Sequence, residues 1–197
     1  MMDIKSGPAE VRCVGISEAA DEIRHAERIL VVGCSGGGKS TLAQQIARRF
    51  ALTYISNDRD VLWLPGWVQR EGSEQRRIIE ELIRQERWIM DGTSTSTFDI
   101  RVPRSDIVIW VRMPRAVNVW GILSRWLKYI GRTRPEMAPG CPERMDWEFF
   151  RFVWTWEREF APRVLAGLEQ HAGGKPVLVL KSRRRMRELL DLLEARA

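Results

Sequence analysis

The feature that most constrains this chain is the run GCSGGGKS at 33–40, which lies between an apolar segment and an amphipathic one. It fits G-x-x-x-x-G-K-[ST], the phosphate-binding P-loop. The preceding RILVVG (28–33) has the apolar, β-branched composition of a buried parallel strand. The following KSTLAQQIARRF (39–50) carries apolar residues at helical spacing. An incidental glycine-rich turn would not require this strand before it and this helix after it, so the motif predicts a P-loop NTPase fold.

The rest of the chain repeats the alternation of strand and helix. Predicted strands are 28–33, 52–56, 87–92, 106–113 and 176–181. Predicted helices are 39–50, 73–86, Pro114 to about Ile130, 146–170 interrupted at Pro162, and 184–195. This order predicts the α/β class, with a five-stranded parallel sheet and helices on both faces. We place the domain at 28–197 and interpret 1–27, which shows only a short helical stretch near 17–25, as an N-terminal extension of unknown role.

Composition restricts the class of protein and its expected location more than it restricts the activity. A chain of 197 residues is long enough for one domain with a substantial core. No apolar run approaches the ~20 residues of a membrane helix and no signal pattern precedes the domain, so we expect a cytoplasmic protein with no membrane partner. The three cysteines form no CxxC pair, which favours reduced thiols over a zinc site. The net charge of +6 indicates anionic partners without naming them, and a monomer and a homodimer are equally compatible with it.

Within the P-loop, the glycines allow backbone N–H groups to surround phosphate oxygens at a helix N-terminus. We expect Lys39 to contact the transferred phosphate and the Ser40 hydroxyl to bind Mg²⁺. Two acids follow neighbouring strands. Asp91 ends WIMD and is a second candidate ligand of Mg²⁺ or its waters, the alternative being a turn or helix-cap aspartate before a glycine. Asp58 follows the second strand and could orient an acceptor hydroxyl or contact the metal, with Asp60 and a plain turn as alternatives.

These motifs resemble those of the adenylate kinase-type nucleoside and nucleotide kinases. The resemblance rests on the strand–P-loop–helix start, the Asp-Gly after the third strand, and DIVIWVRMP leading into a helix with Arg125. The segments LWLPGW, WIMDG, FDIRVPRSDIVIW and GRTRPEMAPGCPER are more closely similar to the bacterial DNA topology modulation proteins, small P-loop proteins related to adenylate kinase. The similarity covers residues 28–190.

The resemblance implies a division of the chain into nucleotide side, acceptor side and lid. It assigns 57–86 to the acceptor side and 131–145 to a short lid. The loop at 181–187 would lie near adenine, where Arg183 could stack, although a solvated face or a nucleic-acid patch would also explain its charge. The ATP-binding residues would be Gly33, Ser35, Gly36, Gly37, Gly38, Lys39, Ser40, Thr41 and Arg183.

The lid sequence combines arginines with prolines and glycines, as a mobile element of a phosphotransferase requires. Because phosphoryl transfer depends on positioning and on charge stabilisation, we take Arg132, Arg134 and Arg144 as catalytic candidates, together with Arg125 from the preceding helix, Lys39 and Asp58. We expect the lid arginines to be loosely held when no ligand is bound.

Two departures from adenylate kinases concern the acceptor. Those enzymes read D-G-F-P-R after the third strand, whereas this chain continues Asp91-Gly-Thr-Ser-Thr and has no arginine until Arg101. Asp58 stands where adenylate kinases carry a small residue, as in sugar and shikimate kinases, so an uncharged hydroxyl acceptor is an option beside a nucleotide. Trp63 and Trp67 could stack on a base, although core packing is commoner.

We therefore expect an ATP- and Mg²⁺-dependent kinase of a small molecule. The alternative is a nucleotide-binding, DNA-associated regulatory protein, which only the net charge and the basic run at 181–187 support. No helix-turn-helix, zinc finger or RNA-recognition motif is visible in the sequence.

Overall fold

The computed structural model describes residues 11–144 and 146–195. Residues 1–10 of the predicted N-terminal extension, Met145 of the predicted lid, and residues 196–197 lie outside the described residues. The described strands are β1 (Arg28–Gly33), β2 (Thr53–Ser56), β3 (Trp63–Leu64), β4 (Val68–Gln69), β5 (Trp88–Asp91), β6 (Ile107–Val111) and β7 (Val177–Leu180). The helices are α1 (Ile16–His25), α2 (Lys39–Phe50), α3 (Gly72–Leu82), α4 (Phe98–Arg104), α5 (Arg115–Tyr129), α6 (Trp147–Glu159), α7 (Ala161–His171) and α8 (Arg183–Ala195).

Five of these strands form one parallel sheet in the order β2-β5-β1-β6-β7, which confirms the predicted α/β class and strand number. Successive residues of β1 point to opposite faces, and each face has its own apolar core. Ile29 and Val31 pack with α1, α2 and α8, whereas Leu30 and Val32 pack with the helices α3 to α7. Burial on both faces explains why the strands read as continuous apolar runs.

The predicted helical segment at 146–170 is divided into α6 and α7 near Pro162, which occupies the first turn of α7. Residues 149, 153, 156 and 160 recur at the spacing of one helix face, which predicts a core-facing stripe. Val153 and Trp156 are buried in the core, and the partly buried Phe149 and Phe160 pack against it. The helix predicted at 73–86 ends instead at Leu82. Residues 84–87 are all exposed, so a longer helix would bury no further apolar surface.

The structure adds elements that the sequence pattern does not show. The helix α4 is seven residues long and packs on α7, where a Cβ at Gly167 would lie 2.7 Å from the Phe98 ring. β3 and β4 form a small antiparallel hairpin after a π-helical turn at Asn57–Leu62. No described helix is long and apolar enough to cross a membrane.

Residues 11–27, assigned by sequence to an extension, contribute to the same domain core. Cys13 forms a parallel bridge with Val177, and the Val14 N–H donates to the Val177 carbonyl oxygen at 3.1 Å. The apolar face of α1, including Ile23, is buried in the core that α8 and α2 share. The domain boundary at residue 28 stays a prediction, but this segment pairs with the edge strand β7 of the sheet.

Candidate active site

The P-loop is held close to neighbouring backbone by glycines that no other residue could replace. Gly33 has φ +140°, and a Cβ there would lie 2.1 Å from the Val111 carbonyl oxygen. Gly36 has φ +78°, and a Cβ would lie 2.1 Å from the Asn118 carbonyl oxygen. The helix α2 begins directly after this loop and no side chain caps its N-terminus. Its first N–H groups are therefore available to an anion, as the sequence predicts.

Lys39 and Ser40, at the start of α2, face the carboxyl end of β5. The Lys39 Nζ donates to the Cys34 carbonyl oxygen at 2.9 Å, within the P-loop itself. The Asp91 carboxylate is buried beside them, with 4% of the residue exposed. Burial raises the pKa of Asp91 to about 6, and the nearby Asp58 carboxylate adds to the rise, while the Ser40 hydroxyl and the Lys39 ammonium oppose it. Such a carboxylate is stabilised by a cation.

A residue that sequence analysis missed connects the two sides of this site. The Thr93 hydroxyl accepts a hydrogen bond from the Gly33 N–H at 2.7 Å and donates to the Gly33 carbonyl oxygen at 2.8 Å. The Asn57 amide nitrogen donates to the Ser94 hydroxyl at 3.1 Å. The loop after β5 is thus bonded both to the start of the P-loop and to the turn that carries Asp58. No local sequence signal marks Thr93, because its partner is 60 positions away.

Arg101 holds the loop after β5 through hydrogen bonds to its backbone. Its side chain is fully buried, and its Nη1 and Nη2 atoms donate to the carbonyl oxygens of Gly92 at 2.8 Å and Ser94 at 2.5 Å. Burial lowers the pKa of Arg101 to about 10, although the Asp91 carboxylate counteracts the fall. Arg101 is therefore occupied in holding the backbone that follows Asp91.

We predict that Arg101→Met destabilises the fold by about 2–4 kcal/mol, because two buried carbonyl oxygens lose their donors. Urea unfolding followed by circular dichroism measures the change. The matched control is Arg104→Met on the same helix. Arg104 is exposed and its Nε donates to one carbonyl oxygen, that of Ile83 at 3.3 Å, so we expect the free energy of unfolding to fall by less than about 1 kcal/mol. Equal effects of the two variants would contradict the assigned role of Arg101.

Asp58 and Asp60 lie in the π-helical turn after β2 and have different surroundings. Asp60 accepts from the Ser56 N–H at 2.9 Å and forms a bidentate ion pair with Arg59. The half-buried Asp58 side chain makes no hydrogen bond or ion pair with another described residue, although its charge affects the pKa of both Asp91 and Arg125. Asp60 thus has a structural role, and Asp58 is the acid that remains available to a ligand.

The predicted lid packs against the small hairpin and the end of β2, next to and partly within the segment 57–86 that the resemblance assigns to the acceptor side. Met137, Ala138 and Cys141 are buried in a small cluster with the two tryptophans of the hairpin, Trp63 and Trp67. The two indole rings meet edge to face, with their centroids 5.3 Å apart. Further hydrogen bonds join Ser56 Oγ to the Glu136 carbonyl oxygen and the Gly66 N–H to the Gly140 carbonyl oxygen. Core packing against the lid therefore accounts for both tryptophans.

The arginines of the lid differ from the expectation that all are loosely held. Arg134 is buried, and its Nε donates to Glu143 Oε2, while Nε of Arg125 donates to Oε1 of the same carboxylate. Arg144 lies over the Trp67 ring, 5.1 Å from its centroid. Arg132 is exposed. Arg125 and Arg134 thus come together near Asp58, and the expectation was wrong for Arg134 because it did not include an acid partner for it.

The structure brings Arg183 to the P-loop. Its Nη2 donates to the Gly36 carbonyl oxygen at 3.1 Å, and its Nη1 occupies the position where a Cβ at Gly38 would project. The residue begins α8, and its side chain brings the basic run at 181–187 against the P-loop. Met186 of the same run is buried in the core.

Comparison with known proteins supports the fold. No protein-family model matches the sequence. The uncharacterised Bacillus subtilis (strain 168) protein YqaC is 28% identical over 95 residues, which cover 47% of this chain and 53% of that protein, so the match extends over about half the length of that relative.

Two solved shikimate kinases share the architecture. The enzyme from Acinetobacter baumannii, in complex with shikimate, superposes with a TM-score of 0.52 and 12% identity, covering 89% of this chain and 95% of that one. The enzyme from Bacteroides thetaiotaomicron has a TM-score of 0.51 and 15% identity, covering 86% and 96%. At these identities the likeness concerns the fold, and this chain has the five-stranded α/β architecture found in P-loop kinases.

Proposed function

We propose that this chain is an ATP- and Mg²⁺-dependent phosphotransferase that acts on a small-molecule hydroxyl group. The observation that carries the proposal is the meeting of three kinds of group at the carboxyl edge of one sheet: the uncapped P-loop helix, the acids Asp58 and Asp91, and the paired Arg125 and Arg134. A protein that only binds nucleotide does not need the last of these. The fold likeness to shikimate kinases supports the same class of reaction.

On the nucleotide side, the backbone of 33–41 would surround the phosphates of ATP, with Lys39 contacting the γ-phosphate and Arg183 bordering the loop. The residues present also fit a magnesium site, because a buried carboxylate with a raised pKa, Asp91, lies beside the Ser40 hydroxyl. Oxygen ligands of this kind suit Mg²⁺, which commonly completes its coordination with phosphate and water. Bound there, Mg²⁺ would neutralise charge on the phosphate oxygens.

In the transfer step, the acceptor oxygen forms its bond to the γ-phosphorus as the bond from that phosphorus to ADP breaks. Asp58 would orient the acceptor hydroxyl and take its proton. Arg125 and Arg134 would stabilise the negative charge on the equatorial oxygens, and Arg132 and Arg144 would add charge from the outer part of the lid. The docked lid would exclude water from the acceptor side.

The position of Arg101 favours a hydroxyl acceptor that carries no phosphate of its own. In the adenylate kinase-type motif, an arginine shortly after the Asp-Gly grips the acceptor phosphate. Here the next arginine is fully buried and donates to two carbonyl oxygens. Its guanidinium is therefore not available at the acceptor site.

The direct test is a screen of nucleosides, nucleoside monophosphates, sugars and hydroxy acids with ATP and Mg²⁺, in which mass spectrometry detects phosphorylated products. We expect at least one uncharged-hydroxyl acceptor to give a product that depends on Mg²⁺. ATP binding without any product across the library would instead favour a nucleotide-binding regulator. A preference for nucleoside monophosphates would overturn the proposed acceptor class and retain the kinase.

We predict that Asp58→Asn lowers the rate of transfer about 10²-fold and leaves the affinity for ATP within about threefold. The reason is that the carboxylate is free to meet the acceptor, while the P-loop is unaffected. Product formation and calorimetric ATP binding measure the two quantities. Asp60→Asn is the control, because Asp60 is bonded to Arg59 and Ser56, and it should change the transfer rate little. A collapse of ATP affinity would place Asp58 in the metal site.

The alternative of a nucleotide-binding DNA-associated protein stays a prediction from net charge and the basic run at 181–187. Membership of the DNA topology modulation family stays a prediction from the resemblance of four sequence segments. All five basic residues of the run at 181–187 are exposed: Lys181, Arg183, Arg184, Arg185 and Arg187. Tight, strongly salt-dependent binding to duplex DNA would favour this alternative. Cytoplasmic location and the choice between monomer and homodimer also stay predictions.

A further inference from the structure

Glu143 is a buried acid that contacts two of the candidate catalytic arginines at once. Its Oε1 lies 2.7 Å from Nε of Arg125 and its Oε2 lies 2.5 Å from Nε of Arg134. Only 4% of the Glu143 side chain is exposed, against 20% and 9% for the two arginines. One carboxylate between two guanidinium groups leaves the cluster with one positive charge in excess.

The carboxylate is held by backbone structure as well as by its ion pairs. Glu143 forms a parallel bridge with Ile130, and its N–H donates to the Arg132 carbonyl oxygen at 2.8 Å. Arg125 is held from the other side by the Phe149 ring, 5.5 Å from the ring centroid. The end of α5, the lid and the start of α6 therefore meet at this one acid.

The way the arginines bind Glu143 differs from two bidentate ion pairs elsewhere in this chain. Arg76 offers both Nη atoms to Asp99, and Arg59 offers Nε and Nη2 to Asp60. Arg125 and Arg134 each donate through Nε alone, and their Nη atoms form no hydrogen bond with any other residue in the described part of the chain.

Those Nη atoms are suited to phosphate. A guanidinium presents two forked N–H pairs, and phosphate oxygens bind such forks in bidentate fashion. Two adjacent guanidinium groups repel one another, and for Arg125 the effects of burial and of Arg134 lower the pKa while Glu143 and Asp58 counteract the fall. Because the Glu143 carboxylate accepts from the Nε atom of each arginine, the Nη pair of Arg125 and the Nη pair of Arg134 can lie close together while both side chains stay charged.

We propose that Glu143 is a positioning residue that fixes Arg125 and Arg134 side by side, so that their Nη atoms form one site for the phosphate oxygens being transferred. The inference rests on the phosphotransferase function proposed above. Glu143 itself does not contact the phosphate and stays bound to both arginines throughout the reaction.

The first test compares Glu143→Gln with Glu136→Gln. Glu136 lies in the same lid and its carboxylate accepts from Gln44 at 2.9 Å, so this control makes the same chemical change away from the arginines. We expect Glu143→Gln to lower the turnover of ATP about 10–10²-fold with an ATP KM within about threefold of wild type, and Glu136→Gln to leave both unchanged. Equal turnover in the two variants would overturn the proposal.

The second test needs neither turnover nor a variant that folds. Nitrogen-15 NMR of the wild-type protein follows the arginine Nε–H signals during titration with Mg²⁺ and inorganic tripolyphosphate. We expect the Nε–H signals assigned to Arg125 and Arg134 to stay protected at saturation, while the Nη signals of the same two residues shift and become protected. Loss of both Nε–H signals would show that phosphate competes with Glu143 and would overturn the positioning role, as would unchanged Nη signals.

The two proposals fail in different ways. A wild-type protein that binds tripolyphosphate through the Nη atoms but phosphorylates no acceptor would contradict the phosphotransferase and retain the arginine site. Phosphorylation of an acceptor together with displaced Nε–H bonds would contradict the role of Glu143 and retain the phosphotransferase.

Discussion

Lys39→Ala is expected to lower ATP turnover by about 10³-fold or more and to leave the fold intact. The Lys39 ammonium is the only positive side chain within the P-loop run 33–40, and it lies between the loop and the buried Asp91. Removing a donor aimed at charge that develops in the transition state typically costs 10²–10³-fold, and this lysine also contributes to binding the phosphates.

The fold should tolerate the change because, among the described residues, the Lys39 side chain forms its hydrogen bond within its own loop. Its Nζ donates to the Cys34 carbonyl oxygen, and the residue is half-buried at the edge of the site. Release of ADP in a coupled assay measures turnover, and thermal unfolding reports on the fold. Lys175→Ala, in the turn before β7, is the control and should behave as wild type. A folded Lys39→Ala protein with normal turnover would contradict the P-loop assignment.

The sheet and the P-loop could be predicted because each depends on a short contiguous run. The strand β1 is apolar on both faces, and the loop that follows needs glycines where Val111 and Asn118 approach its backbone. Local composition carries this information, since a parallel strand buried on two faces has few alternatives. The predicted boundaries of the five strands in the parallel sheet agree with the structure to within one or two residues.

The contacts that position the site residues could not be predicted from local sequence patterns. Thr93 bonds Gly33 across 60 positions, and Arg101 bonds carbonyl oxygens whose orientation depends on the turn after β5. A threonine or an arginine in a sequence does not identify its partner. The small hairpin and the short α4 were also missed, because packing against the lid and against α7 stabilises them rather than intrinsic propensity.

In the lid, the arginines could be predicted from the sequence, whereas their shared acid partner could not. Its arginines were predicted from composition, since charge among prolines and glycines favours a loop over a helix or strand. Glu143 belongs to the same segment, but nothing in the sequence indicates which arginines it contacts. The structure makes it the common partner of two arginines, one of them 18 positions away in α5.

The double change Arg132→Ala, Arg134→Ala is expected to lower turnover about 10²–10⁴-fold, the range for losing charge stabilisation in phosphoryl transfer. The two arginines should contribute unequally. Arg134 is paired with Glu143 beside Arg125, whereas Arg132 is exposed and its described polar contacts are through its backbone. We therefore expect Arg134→Ala alone to account for most of the loss and Arg132→Ala alone to cost less than about tenfold.

A second double variant, Lys128→Ala with Arg151→Ala, separates a lid from a DNA-binding surface. Both residues are exposed and flank the lid on α5 and α6, so the variant removes the same charge without touching Glu143. If the arginines act on the transferred phosphate, the lid variant loses turnover and the flanking variant does not. If net charge binds duplex DNA, both variants weaken that binding alike, because phosphate contacts along a duplex depend mainly on the number of charges. Normal turnover in the lid variant, combined with a selective loss of DNA binding, would reverse the order of the two functions.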